Sequence, residues 1–192
     1  METNRFCLYS QKIVSITSNP SVEHYEILLR RLLDENGERV APNDFIPAER
    51  YGSIADIDCW VIEFFFYNYH NLSHKNFMSK GLYTINISGD SIGNNGLIMF
   101  LIEQFDRYQI PPQTICFELT ETAAIANFEQ ARYFMSELKK IGCCFALDDF
   151  GSGLSSFAYL MNLPVDYLKI DGAFVKNISH NLISQALVEG FN

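Results

Sequence analysis

Short apolar runs alternate along the chain with longer runs in which apolar residues recur every three or four positions. Runs of the first kind are typical of buried strands, and runs of the second kind are typical of amphipathic helices. The predicted strands are Phe6–Ile16, His24–Arg30, Leu82–Ser88, Thr114–Leu119, Cys143–Asp148 and Asp166–Ile170. The predicted helices are Ile54–Tyr69, Leu97–Tyr108 and Phe128–Ile141. The alternation predicts an α/β fold with parallel strands.

The helix Phe128–Ile141 has the clearest sequence signals. Its apolar residues form one stripe at helical spacing. Asn127 stands at the N-cap position and Gln130 at the matching capping-box position. Gly142 follows as the usual C-terminal stop. We therefore expect a helix here with one face on the core.

Composition predicts one globular, acidic domain. The 192 residues are 48% hydrophobic, so the chain can bury one core, and a single domain over residues 1–192 is expected. The formal net charge of −9 argues against binding to nucleic-acid polymers, which requires a basic surface. An acidic protein can still bind a phosphate ligand when divalent cations reverse the local field.

The cysteines and the apolar runs predict a cytoplasmic chain. The five cysteines form no CxxC pair and are odd in number, which favours free thiols in a reducing compartment. The amino terminus lacks the charged-then-apolar pattern of a signal peptide. The apolar run around Phe64–Phe66 is interrupted by Glu63 and is too short to span a membrane. We expect no membrane contact by this chain.

Polar residues recur at the predicted carboxyl ends of the strands. Asn86, Glu118 and Asp148 follow one another at intervals of about 30 residues, the length of one βα unit. Lys169 follows at the end of the next predicted strand. Because the carboxyl ends of strands in a parallel barrel meet at one rim, we expect these side chains to converge.

Asp148 and Asp149 are adjacent carboxylates that follow an apolar run. Two such groups repel each other unless a cation or hydrogen-bond donors hold them. Oxygen ligands suit hard divalent cations, and two such cations can activate water and neutralise a phosphodiester. The pair therefore predicts a metal-dependent phosphodiester site. The alternative is a turn and N-cap leading into a helix over Ser155–Met161.

Seven motifs, in family order, resemble those of the EAL-domain family, the bacterial phosphodiesterases that hydrolyse cyclic di-GMP. They are LYSQKIVSI (8–16), YEILLR (25–30), FIPAERYG (45–52), INIS (85–88), FELTET (117–122), DDFGSGLSS (148–156) and LKID (168–171). The resemblance implies a TIM-like (β/α) barrel of the EAL type. It also implies metal-dependent hydrolysis of cyclic di-GMP to linear pGpG in second-messenger signalling.

The resemblance implies two divalent cations, Mg²⁺ or Mn²⁺. The implied ligands of the first cation are Glu26, Asn86, Glu118 and Asp148. Asp148 would bridge the two cations, and Asp149 would serve the second.

Five further residues receive roles from the same resemblance. Lys169 would orient and help activate the attacking water, and Glu121 would stabilise the loop that carries the aspartate pair. Gln11 and Arg30 would contact the ligand, Arg30 through a phosphate. Asp171 would support Lys169 or the second metal. Taken singly, several of these residues have ordinary interpretations, such as a surface carboxylate or a lysine that extends outward.

Two features depart from the family pattern. Ile27 replaces the alanine of the family signature between the retained Glu26 and Arg30. The sequence ends at Asn192, within an apparent helix over Asn181–Phe191. The family's last two βα units, with a metal-linked glutamate in an EGVE-like motif and a glutamine that contacts guanine, are therefore expected to be absent. We expect a C-terminally truncated EAL-type domain with about six of eight strands.

These departures leave an alternative function open. The chain is expected to be a cyclic di-GMP phosphodiesterase. The alternative is a catalytically inactive module that binds cyclic di-GMP or a protein, including a second copy in a homodimer. Sensory or diguanylate-cyclase-type domains are expected partners on the parent protein.

Overall fold

The computed structural model describes residues 6–16, 22–31, 54–73, 81–151, 162–176 and 178–181, together with residues 185, 188 and 190. The strands are β1 (Phe6–Ile13), β2 (Glu23–Arg31), β3 (Gly81–Asn86), β4 (Ile115–Thr120), β5 (Cys144–Phe150) and β6 (Tyr167–Ile170). The helices are α1 (Ile54–Ser73), α2 (Gly89–Ile92), α3 (Asn95–Tyr108), α4 (Glu121–Ala126), α5 (Phe128–Ile141) and α6 (Gly172–Lys176).

All six predicted strands and the three predicted helices are present. A 3₁₀ turn over Pro112–Thr114 precedes β4, and the short helices α2, α4 and α6 were not predicted. The motif at 45–52 and the predicted helix Ser155–Met161 lie outside the described residues, as does most of the stretch Asn181–Phe191. Within the ranges that the structure covers, none of the helices combines the length and apolar character needed to cross a bilayer.

The six strands form one sheet in sequence order. Strands β2 to β6 are parallel, as predicted. The prediction was wrong for β1, which pairs antiparallel with β2. The cause is the short connection over residues 14–22, because a parallel crossover requires about a dozen residues or more. The first strand also ends at Ile13 instead of the predicted Ile16.

The face of the sheet that packs against the helices is apolar. Ile85, Phe117 and Phe145 are register partners on β3, β4 and β5, and each is fully buried. The ring of Phe134 on α5 lies 6.2 Å from that of Phe117. Full burial of one such side chain contributes about 1.5–3 kcal/mol, so this face carries much of the stability of the fold.

The opposite face of the sheet is polar near the carboxyl ends of the strands, next to a small apolar cluster of Leu82, Cys116 and Ala146. Side chains alternate between the two faces of a strand, so Glu26 and Glu118, which neighbour the buried Ile27 and Phe117, point away from the helices. The register that buries Ile85 against Phe117 also sets Asn86 opposite Glu118. Packing of the apolar face thus determines where the polar residues lie.

Helix α5 has the predicted bounds, and Gly142 ends it with φ of 109°, a left-handed conformation that favours glycine. The predicted side-chain cap was wrong. Asn127 occupies the N-cap position but makes no capping hydrogen bond. Its side-chain amide instead donates to the carbonyl of Ala123, because α4 ends immediately before α5 and its last carbonyls need donors.

Candidate active site

Lys169 lies at the centre of three carboxylates. Its Nζ is 2.5 Å from Oε1 of Glu118, 3.1 Å from Oε2 of Glu26 and 3.7 Å from Oδ1 of Asp148. These residues come from β6, β4, β2 and β5. The predicted convergence at the carboxyl ends of the parallel strands is confirmed, and Lys169 points towards the carboxylates and not outward.

Glu118 is the most buried member of this cluster, with a side chain that is 0% exposed. Burial raises its pKa to about 7, although the hydrogen bond and charge of Lys169 oppose the shift. Burial lowers the pKa of Lys169, but its hydrogen bond to Glu118 and the nearby carboxylates outweigh this and raise it overall. Within the described part of the chain, Oε2 of Glu118 is buried and has no hydrogen-bond partner.

Asn86 joins the cluster through Glu26. Its Nδ2 lies 3.3 Å from Oε1 of Glu26 and donates a hydrogen bond to it. The two residues belong to the paired strands β2 and β3. A carboxylate oxygen and an amide oxygen are thereby held at the same edge of the sheet.

Asp148 and Asp149 lie within β5 and not at its end, because the strand continues to Phe150. The register of β5 against β6 shifts between Leu147 and Phe150, and Asp149 has φ of 54°. This bulge points Asp149 towards solvent, where it is exposed. Partial loss of hydration beside the cluster, then the charges of Asp148 and Asp171, raise the pKa of Asp149 although the residue is exposed.

Glu121 supports the chain just after the aspartate pair. Its Oε2 accepts a hydrogen bond of 2.8 Å from the backbone N–H of Gly151, and the residue is 2% exposed. Gly151 has φ of 94°, and a Cβ there would lie 3.1 Å from the ring of Phe174. The turn therefore requires glycine, and Glu121 ties it to the start of α4.

Three predicted site residues stand apart from the central cluster. Gln11 is exposed and pairs with Glu26 across the β1–β2 ladder. Arg30 donates from Nη1 to the carbonyl of Leu29 at 2.8 Å. Asp171 accepts a hydrogen bond from the N–H of Ala173 through Oδ1, so it caps α6.

The cluster offers the oxygen atoms that a hard cation prefers, but its carboxylates are not spaced to surround one metal ion. Among the described residues, no three histidine, cysteine, aspartate or glutamate side chains form a group that could hold one metal ion. The three carboxylates instead surround the Lys169 ammonium group. All the candidate ligands offer oxygen atoms, and the unpartnered Oε2 of Glu118 is a buried acceptor of the kind that a cation satisfies. The types of ligand present therefore suit a hard divalent cation.

The sequence analysis missed a third buried carboxylate, Asp58 on α1. Its Oδ2 accepts hydrogen bonds from Ser88 N at 2.9 Å, Ser88 Oγ at 2.7 Å and Ser91 Oγ at 2.6 Å. Burial raises the pKa of Asp58, and these hydrogen bonds oppose the shift. A signal was available, because Asp58 falls on the apolar stripe of α1 that also carries Ile62 and Phe65. Asp58 holds the turn that follows Asn86.

A layer of smaller polar contacts lies beneath the carboxylates. His24 Nε2 and Thr84 Oγ1 are 2.7 Å apart, and the rings of His24 and Tyr167 are 5.6 Å apart. Burial, followed by the charge of Lys169, lowers the pKa of His24. His24 is therefore a partly buried residue whose Nε2 is paired with Thr84.

Comparison with known proteins gives one family for nearly the whole chain. The family model described as EAL domain matches residues 1–191. The chain is 40% identical over 190 residues to cyclic di-GMP phosphodiesterase PdeB of Shewanella oneidensis, covering 98% of this chain and 22% of that protein. It is 37% identical to cyclic di-GMP phosphodiesterase PdeA of Borreliella burgdorferi, covering 96% of this chain and 27% of that protein. The chain thus spans about a quarter of the length of these curated relatives.

Solved structures share the fold. The PaMucR phosphodiesterase in complex with c-di-GMP superposes with a TM-score of 0.85 and 27% identity, covering 97% of this chain and 74% of that one. The FimX EAL domain from Pseudomonas aeruginosa bound to c-di-GMP gives a TM-score of 0.85 and 29% identity, covering 99% and 75%. The predicted α/β fold, an incomplete TIM-like barrel, is confirmed in the described residues. The chain belongs to the EAL domain family.

Proposed function

We propose that the chain hydrolyses cyclic di-GMP to linear pGpG in a metal-dependent reaction. The observation that carries this proposal is the convergence of Glu26, Glu118 and Asp148 on Lys169 at one rim of the sheet. Relatives named as cyclic di-GMP phosphodiesterases support the substrate. The oxygen-rich, partly buried cluster supports the reaction class.

In this proposal Glu26, Asn86, Glu118 and Asp148 hold one cation, and Asp149 serves a second. Cations bound there would lower the pKa of a water molecule and neutralise charge on the phosphodiester. Asp148 and Asp149 are adjacent in the bulge of β5, which gives each carboxylate a different direction. That difference supports two neighbouring positions for ligands.

Lys169 would donate a hydrogen bond to the attacking water and hold its oxygen towards the phosphorus atom. The new bond forms between that oxygen and phosphorus, the bridging bond to one ribose oxygen breaks, and linear pGpG and a proton result. Glu121 would act through the backbone N–H of Gly151, which fixes the turn after Asp149. Glu121 is therefore proposed as a positioning residue.

Substrate contacts are proposed for Gln11 and Arg30. Gln11 pairs directly with Glu26, so both side chains lie on the same face of the sheet. Arg30 is four residues beyond Glu26 in β2 and shares that face. A guanidinium group in this position could bind a phosphate with two hydrogen bonds. Asp171 is proposed to support Lys169 or the second cation from the position just after β6, where its Oδ1 accepts a hydrogen bond from the N–H of Ala173.

A second candidate function is binding of cyclic di-GMP without turnover. The observation that favours it is the likeness to the FimX EAL domain, which was solved bound to c-di-GMP. In this case the same face of the sheet would hold the ligand.

Incubation of the purified chain with cyclic di-GMP and Mn²⁺ or Mg²⁺, followed by chromatography, tests the proposal. We expect pGpG to accumulate, and Glu26→Gln and Lys169→Met to abolish its formation. Glu129→Gln, an exposed change on α5, is the matched control and should retain activity. Saturable calorimetric binding without pGpG would instead support the second candidate. A folded chain with neither binding nor turnover would contradict both.

A further inference from the structure

A cavity of about 450 Å³ lies on the apolar side of the sheet, between α1 and strands β1 to β3. This is the face opposite the carboxylates. Core voids larger than a water molecule are few in proteins, whereas small-molecule sites measure about 300–1,000 Å³. The cavity therefore has the volume of a small-molecule binding site.

Aromatic side chains make up most of its wall. They are Tyr9, Tyr25, Phe64, Phe65, Tyr69 and Tyr83. The rings of Tyr25 and Tyr83 are stacked at 5.5 Å and 15°. Phe65 lies 5.3 Å from Tyr83 and 6.0 Å from Tyr69. Because Tyr83 and Phe65 are almost fully buried, this part of the wall is formed before any ligand arrives.

The chemistry of the wall limits what it can take. None of the described residues that line the cavity carries a charged side chain. A charged ligand would lose its hydration there without gaining a partner. Ser10 and Asn68 add a hydroxyl and an amide to the wall, which suits one or two orienting hydrogen bonds. Ring faces and edges favour a flat aromatic guest.

We propose that this cavity binds a neutral, planar aromatic small molecule. Tyr25 and Ile27, which line it, flank Glu26 in β2, and Ser10 precedes Gln11 in β1. A ligand in the cavity thus contacts the backs of the two strands that position Glu26 and Gln11. The site is separate from the carboxylate cluster, and its occupancy does not depend on phosphodiesterase activity.

The test uses N-phenyl-1-naphthylamine, a neutral aromatic amine that becomes fluorescent in apolar surroundings. Titration of the purified chain should give a saturable rise with one equivalent bound. Ser10→Phe and Asn68→Phe each place a ring in the cavity and should weaken binding at least tenfold. Met99→Phe, on the exposed side of α3, should leave it unchanged. Circular dichroism confirms that each variant is folded.

Three outcomes would overturn the proposal. One is a non-saturable rise, or equal affinity in the wild type and in both folded filling variants. A second is displacement of the probe from the wild type by excess cyclic di-GMP with Mn²⁺, because the proposal expects the probe to stay bound. Displacement of the probe would place it in the carboxylate site. Failure of the probe to bind, with pGpG still formed, would remove this inference and leave the proposed function intact.

Discussion

The Nζ of Lys169 reaches across β5 to contact Oε1 of Glu118 at 2.5 Å. Glu118 is the register partner of Ala146 on the strand between them. The side chain of Ala146 is only a methyl group, and the residue is 1% exposed. A small residue at this position leaves the lysine room to lie over the middle strand. The ion pair therefore depends on a third residue that carries no charge.

Lys169→Met should destabilise the metal-free protein in a pH-dependent way. The change leaves the buried Glu118 carboxylate without its cation. Removing one partner of a buried pair costs about 3–5 kcal/mol, and because the lysine is 30% exposed we expect about 2–3 kcal/mol at pH 8. The cost should fall at pH 6, where Glu118 takes up a proton. Urea unfolding in the presence of EDTA measures both values.

Lys140→Met is the control for this change, because Lys140 pairs with Glu137 on the exposed side of α5. Exposed pairs contribute little to stability, so this variant should unfold almost as the wild type does at both pH values. An equal loss of stability for Lys169→Met at pH 6 and pH 8 would show that Glu118 is not the group left uncompensated.

Cation binding should weaken as the pH falls from 8 to 6. The pKa of Glu118 is raised to about 7 by burial, and a cation requires the ionised carboxylate. Below this pKa the proton competes with the cation, so the affinity for Mn²⁺ should fall by up to about tenfold per pH unit. Calorimetric titration with Mn²⁺ at pH 8, 7 and 6 measures the slope. Glu129→Gln should retain the slope, and a flat profile would exclude Glu118 as a ligand.

The raised pKa of Glu118 also makes the stability of the fold depend on pH. The carboxyl of Glu118 titrates near 4.5 when unfolded and near 7 when folded. Between these values the folded chain binds a proton that the unfolded chain has released, so the contribution of Glu118 to stability is lost as the pH rises. This sign is opposite to that of an ordinary surface carboxylate in an ion pair.

Glu121→Ala should weaken Mn²⁺ binding without removing any proposed ligand. The change takes away the acceptor of the Gly151 N–H and frees the turn that follows Asp149. Losing a hydrogen bond that orients metal ligands typically lowers metal affinity by about 10–100-fold. Calorimetry measures the affinity, and Thr122→Ala, an exposed change on the same helix, should have no effect. Glu121→Gln should recover part of the loss, because it keeps an acceptor oxygen. Unchanged affinity in Glu121→Ala would leave Glu121 with a purely structural role.

The strands and the polar residues at their ends were predictable because each depends on local pattern. Apolar runs identified β3, β4 and β5, and the interval of one βα unit placed Asn86 beside Glu118 on the neighbouring strand. The bulge at Asp149 was not predictable, since left-handed backbone at a residue other than glycine depends on pairing with β6. The contacts of Asp58 could not be predicted either, because Ser88 and Ser91 are 30 and 33 residues away in sequence. Interactions between distant segments require the folded register.

Asp58→Ala should destabilise the fold more than Asp58→Asn. The alanine variant leaves the N–H of Ser88 without its acceptor, whereas the two hydroxyls of Ser88 and Ser91 can still bond each other, since they lie 2.9 Å apart. Hydrogen bonds to a charged group contribute about 1.5–3 kcal/mol, so we expect a loss of about 2–3 kcal/mol. Asparagine keeps an acceptor oxygen and should cost about 1 kcal/mol. Asp56→Asn, on the exposed side of α1, should change stability by less than about 0.5 kcal/mol.

The stability difference between the wild type and Asp58→Asn should also depend on pH. Burial raises the pKa of Asp58 in the folded state above its ordinary value of 3.8. The folded chain therefore holds a proton there over a range of pH in which the unfolded chain has lost it. It follows that the advantage of the wild type is largest near pH 4 and declines as the pH rises through the folded-state pKa. Urea unfolding of both proteins at pH 4.5, 5.5 and 7 gives this difference. An advantage that grew with pH would mean that the three hydrogen bonds outweigh burial and that Asp58 is held as a carboxylate.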